Sequence, residues 1–503
     1  MKNLFYFILP LIAVAAYADD YYFVGGGTPT TGHPSGAWSH FVDGTLVPVD
    51  RQPLQGEDNL VFNSDYIKSN ILYVTTTNNY GNDLIISNLK NDFELSAGKE
   101  VMAQDVYWDL SGKISVTGVE GVWDASKSSF TDNSKVLSFT YTDDSIDETL
   151  GGPRIHLSVG SIEMMADGTT ATNIMTHKAK LNLGRTSKAL SSITVQNDVK
   201  LYSRTALVMN ATNIKINGIV GLYAEAWTNS ATLKFNATSG SAVTVELGGL
   251  VAAKQCAEVS NAIDAAGTST TLIFKNAAGT NYTYNGKLMD GGYGAGDGVH
   301  LSKMNIVMDG EGIQCLSPQD ANNCYYTGTV TVKNGTLYLF NQKSAGDTYL
   351  EGGRLGILYS GRGFLTTGFH WSGGVLELDV KSSASRDNLQ IGGILEKVGD
   401  GKLVFDLNLT SADYDAIELG SSVKYDLLSA ESISNFGESL NDDFEILGMD
   451  YSQFVADFFY DEASNILSTV ITHVPEPEAA AAFLGGLALA FIALKRRGIR
   501  RSR

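Results

Sequence analysis

Short apolar runs with a two-residue period, each closed by Gly, Asn, Asp or Ser, fill the middle of this 503-residue chain. That pattern fits strands with one buried face and excludes a helical bundle. Residues 243–247 (VTVEL) place Val243, Val245 and Leu247 on one face. Residues 402–409 put Leu403, Phe405, Leu407 and Leu409 inward and Lys402, Asp406 and Asn408 toward water. Leu376, Leu378 and Val380 alternate with Glu377 and Asp379, which are expected outward. Turns are expected at Asn217-Gly218 and Asp400-Gly401. Long amphipathic helices are nearly absent, and the best helical candidate, residues 452–459, is short. The fold class is all-β.

A repeat narrows this further. Residues 334–339, 352–357, 373–378 and 400–405 share Gly, any residue, Leu, any residue, then an apolar residue. Their glycines, Gly335, Gly353, Gly374 and Gly401, are 18, 21 and 27 residues apart. Repeats of this length suggest stacked rungs, none of which can bury its apolar face alone. The expected architecture is a right-handed parallel β-helix (solenoid) over 19–440, followed by a C-terminal β or linker segment, 441–473. Tandem β-sandwiches are the alternative.

The two ends carry addresses. Met-Lys-Asn, an apolar run over 4–16 and Ala16-Tyr-Ala18 before Asp19-Asp20 form a signal peptide, 1–18, cut after Ala18. At the far end Pro475-Glu476-Pro477 precedes an uncharged run, 479–494, then Lys495, Arg496, Arg497, Arg500 and Arg501. Sixteen helical residues reach roughly 24 Å, close to the ~30 Å hydrocarbon core once the cations snorkel. The run is therefore expected to be a single transmembrane helix, with the basic cluster cytoplasmic and the body exported.

Without Lys2 and the six cations of the tail, 29 cations face 55 carboxylates, a net charge of −26. Such a body repels nucleic acid and anionic polymers. A hydrophobic content of 43% supports a large core and excludes a disordered stalk. Of three cysteines, Cys315 and Cys324 bracket a polar loop and form a candidate disulfide in an oxidising compartment; Cys256 is read as a buried thiol.

Chemistry is sparse. The histidines, including His156, His370 and His473, show no metal-ligand spacing, and Gly-x-Ser-x-Gly is absent. Asp143-Asp144 is the obvious carboxylate doublet, read as a solvated strand end. Residues 290–297 (DGGYGAGD) echo a calcium-binding nonapeptide once, with Gly296 where an acid is needed, and are read as a corner loop. Trp38, Trp108, Trp123, Trp227 and Trp371 could stack on sugars but are read as core or corner packing. Asn210 and Asn236 begin sequons. No catalytic residue, cofactor or metal is assigned.

The order of tripeptide, apolar run and basic cluster from Pro475 to Arg501 resembles the PEP-CTERM sorting signal of Gram-negative bacteria. That resemblance implies an exosortase-like membrane protease as partner, transient inner-membrane anchoring and delivery to the cell surface, in a family often associated with exopolysaccharide. Residues 395–405 (LEKVGDGKLVF) resemble the autotransporter-associated β-strand repeat, and Gly36-Ala-Trp38, Val47-Pro48 and 58–62 (DNLVF) resemble the entry unit of such passengers. They imply an extracellular parallel β-helix. The expectation is a non-enzymatic structural or adhesive surface protein. The alternatives are a β-helix polysaccharide lyase or glycosidase, and a periplasmic protein whose tail is never cut.

Overall fold

In the computed structural model, residues are described in stretches between 20 and 184, over most of 189–475, and at 487–489. Among the described residues the chain is all-β, with 63% in strands and 4% helical. Compact units divide at Ala211 and Thr212.

In the first unit, Asp20–Phe23 pairs antiparallel with Trp38–Val42, which forms a hairpin with Thr45–Val49. Asp43 and Gly44 both take positive φ in the turn, as a two-residue hairpin requires. From Asp20–Phe23 a parallel column runs through Asn59–Asn63, Leu84–Ser87, Val106–Thr117 and Ile155–Met165. A second runs from Ile71–Val74 through Phe93–Ala97, Val136–Tyr141 and His177–Leu183. Leu60, Leu84, Ile114 and Ile162 lie stacked and buried along the first.

The second unit repeats the scheme. One column begins in Thr205–Tyr223 and continues through Ala242–Val251, Ser269–Phe274, Lys303–Met308, Val330–Val332, Thr348–Leu350, Phe369–Trp371, Leu389–Lys397 and Ser422–Ser434. Another runs through Asn281–Tyr284, Ile313–Leu316, Thr336–Phe340, Arg354–Leu358, Val375–Glu377, Leu403–Asp406 and Phe444–Ile446. A shorter third joins Ala231–Asn236, Ala257–Asn261 and Lys287–Met289. Every one of these pairings is parallel. Inward residues stack in files, as in Leu247, Phe274, Met308, Val332, Leu350 and Trp371, all buried. Each such side chain contributes roughly 1.5–3 kcal/mol by leaving water.

The repeat units align nearly as their sequences suggest. Gly335, Gly353 and Gly374 have positive φ, and Leu337, Leu355 and Leu376 stack directly. A Cβ on Gly353 would meet the Gly335 carbonyl oxygen at 2.7 Å, so only glycine lets these corners nest. The fourth unit is displaced. Phe405, not Leu403, stacks on Leu376. A slip of two residues preserves side-chain parity, so Leu403 and Phe405 both remain buried.

Three local expectations are corrected. Asn217-Gly218 is not a turn; it lies within Thr205–Tyr223, where the register shifts between Ile216 and Ile219 opposite Gly248. This is a bulge, which accommodates the same residue types. Residues 452–459 are not helical: Phe454–Asp461 is a strand with Phe454, Ala456 and Phe458 inward. Leu409 and Val380, expected inward, are only half-buried.

Phe454–Asp461 and Ile466–His473 form an antiparallel hairpin whose second strand pairs with Ser422–Ser434, closing the column. Beneath it, Trp371, Phe405, Phe436, Phe444 and Phe458 form an aromatic cluster with neighbouring centroids 5.3–6.0 Å apart. Lys397, in register with Trp371, reaches the buried Asp443 at 2.7 Å.

Candidate functional site

Alternation places one file of outward residues, Cys315, Tyr338, Gly356, Glu377 and Asp406, on successive strands of the second column. Arg354 sits two residues before Gly356 and reaches across it. Its Nη1 donates to Glu377 Oε2 at 2.9 Å and to Asp406 Oδ2 at 2.5 Å. The Tyr338 hydroxyl donates to Glu377 Oε2 at 3.1 Å, and the Asn408 amide approaches Glu377 Oε1 at 3.5 Å. Gly356 makes this possible, since a Cβ there would come within 2.2 Å of the Tyr338 ring. Alternation alone would leave Glu377 and Asp406 in open water; instead their side chains are 12% and 23% exposed. Arg354, itself 27% exposed, lies against both, and its charge compensates theirs.

Electrostatics agree with this geometry. Burial works against the Arg354 charge, but its bonds to Asp406 and Glu377 outweigh it and raise its pKa. Burial, then the Glu377 carboxylate, push the Tyr338 hydroxyl up to about 12. Burial raises the Cys315 thiol to about 11, against a hydrogen bond with Thr283. Two carboxylates and a tyrosine converge here, the raw material of glycoside chemistry. Arg354 binds both carboxylates at once, so neither stands apart from a cation.

The first column presents a different surface. Asn213, Thr244, Thr271, Asn305 and Thr329 follow one another along its outer face, the last pair tied by the Thr329 N–H to Asn305 Oδ1 at 2.9 Å. Asn305 Nδ2 approaches Thr271 Oγ1 at 3.3 Å. In the neighbouring file Tyr349 stacks on His370 with centroids 4.9 Å apart, and His370 Nδ1 lies 2.8 Å from Glu396.

The residues that the sequence singles out have varied settings. Asp290 is fully buried: Oδ1 accepts from the Met304 N–H, and Oδ2 from the Thr327 N–H and hydroxyl, at 2.6–2.7 Å. This is an internal staple, and Asp297 lies outside the described residues. Among the described residues no group of His, Cys, Asp or Glu could hold a metal ion. Cys256 is a buried free thiol and Cys315 a half-buried free thiol; Cys324 lies outside the described residues. Trp371 is core, not surface. Asn210 and Asn236 are buried, with Asn210 donating to the Gly184 carbonyl at 2.9 Å. His473 Nδ1 is bound to the Ile417 carbonyl.

At the tail, the Val474 N–H donates to the Gln453 carbonyl at 2.8 Å, and Pro475 is exposed immediately beyond. Ala16, Ala18, Glu476, Pro477, Lys495, Arg496, Arg497, Arg500, Arg501 and the doublet Asp143-Asp144 lie outside the described residues. Among the described residues no helix is long and apolar enough to cross a membrane; of the run 479–494 only 487–489 are described, and they are helical.

Sequence reasoning misses Arg354, Tyr338 and the covering of Glu377 and Asp406. The sequence signal is slight: Tyr338 and Glu377 each fall three residues after the repeat glycines Gly335 and Gly374, while Arg354 falls one after Gly353. Compared with known protein families, curated proteins and solved structures, the chain matches none.

Proposed function

We propose that this chain is an exported, non-enzymatic surface scaffold: a right-handed parallel β-helix carried to the cell surface by its C-terminal sorting tail. The parallel columns, in which strands distant in sequence stack in order, support the solenoid reading; the right hand follows from the general rule for parallel crossovers. The observation that carries the scaffold reading is the Arg354–Glu377–Asp406 network. Where carboxylates converge, a cation from the same sheet bonds both and ties three successive strands together, which suits a stiff face. The Thr and Asn file on the other face supports the same reading.

The address rests on the ends of the sequence: signal peptide, Pro475-Glu476-Pro477, apolar run and basic cluster. An exosortase-like protease is the expected processing partner. Exopolysaccharide is the expected neighbour, neutral or bridged by divalent cations because the body is acidic. The test is surface proteolysis of intact cells carrying the full chain or a chain truncated after Pro475. The proposal expects surface exposure only with the tail. Equal exposure of both forms would contradict it.

A glycosidase reading has one observation in its favour, the proximity of Glu377 and Asp406. Polysaccharide cleavage abolished by Glu377→Gln would establish it.

A further inference from the structure

Phe454–Asp461 lies at the edge of the closing hairpin, and among the described residues only Ile466–His473 pairs with it. Its even-numbered residues turn their N–H groups away from that partner: the Phe454 N–H donates to the Asp450 carbonyl at 2.9 Å, and the Phe458 N–H to Asn441 Oδ1 at 2.8 Å. Asn441 also donates from Nδ2 to Asp457 Oδ1 at 3.1 Å. It stands on the short 3-10 turn Leu440–Asp442, begun by Ser439, whose hydroxyl accepts from the Asn441 N–H. Nearby, the Ile446 N–H at the end of the second column donates to the Tyr451 hydroxyl at 2.9 Å. On the edge strand itself, the Asn441 side chain thus occupies a backbone N–H that a further strand would need.

We propose that the turn Leu440–Asp442 is a latch, with Asn441 as its bolt, that holds this edge closed against the same strand of a second copy of the chain. Bare edges are templates for strand addition, and an edge paired antiparallel with its own copy forms a closed two-fold contact. One register pairs the longest stretch of this strand without setting two carboxylates opposite each other. Centred on Phe458, it sets Asp457 opposite Phe459 and Asp461 opposite Val455, so no carboxylates meet. Outward-turned N–H groups then face one another, as an antiparallel ladder requires.

The test is sedimentation of the detergent-solubilised full chain as parent, as Asn441→Ala and as Asn441→Ala with Val455→Asp. Val455 is 40% exposed, so the added carboxylate is tolerated in the monomer but opposes Asp461 across the two-fold. The expected result is a doubling of mass over the parent for Asn441→Ala, reversed in the double variant. Asn441→Ala sedimenting as the parent overturns the latch. Association that survives Val455→Asp overturns the register and points to aggregation of a loosened cap.

Discussion

Arg354 and Asp406 are 52 residues apart in sequence, yet the guanidinium of one lies 2.5 Å from the carboxylate of the other, with Glu377 bound to the same nitrogen. A single cation thus spans strands Arg354–Leu358, Val375–Glu377 and Leu403–Asp406. Arg354→Met leaves two covered carboxylates side by side. The expected loss is roughly 2–3 kcal/mol, below a fully buried pair because the groups retain some solvent. Urea unfolding measures it. Adding Glu377→Gln and Asp406→Asn should restore most of the loss, since the unpaired charges are then gone.

Glycine at the corners is a separate requirement. Gly353→Ala places a Cβ 2.7 Å from the Gly335 oxygen at a φ of +58°. The left-handed conformation alone costs about 1–3 kcal/mol, and the contact adds to it. Gly420→Ala, with φ +83° and nothing within 4 Å, isolates the conformational part. Gly353→Ala should lower the melting temperature more than Gly420→Ala does.

The repeat glycines and the inward Leu file are legible because a strand period of two is printed directly in the sequence. The slip at Leu403 is not, since a shift of two residues leaves that pattern unchanged. Residues 452–459 mislead because Phe454, Val455, Phe458 and Phe459 also suit one face of a helix; the hairpin partner Ile466–His473 decides for a strand. Gln314 is equally invisible. It is fully buried, and its amide bonds both the N–H and the carbonyl of Leu250, 64 residues away. A polar residue in an alternating run normally reads as outward, and only the tertiary partner makes it an inward one.

Alkaline pH should weaken the fold. Tyr338 and Tyr414 ionise at about 12 in the folded chain, both chiefly through burial, against 10.0 unperturbed. Groups with raised folded values contribute stability that is complete below pH 10 and is lost as pH rises toward 12. Melting temperatures measured from pH 8 to 12 should fall across that window, and less steeply in Tyr338→Phe. Asp309, held low chiefly by its hydrogen bond to Lys275, acts oppositely: its contribution is lost as pH falls below the ordinary carboxylate range.

Cys315 should label slowly with a thiol reagent at pH 7 and faster as pH approaches 11, because the thiolate is the reactive form. Full labelling after denaturation without reductant is expected of the free thiol. Absence of labelling under those conditions would reveal a Cys315–Cys324 disulfide.

Export and sorting of a scaffold leave a defined mature C-terminus, which peptide mass spectrometry reads. Inner-membrane, outer-surface and medium fractions are mapped separately. The expected result is a body that ends near Pro477 and is found outside the inner membrane. Peptides extending through Leu494, confined to the inner membrane, would contradict it and make the tail a permanent anchor.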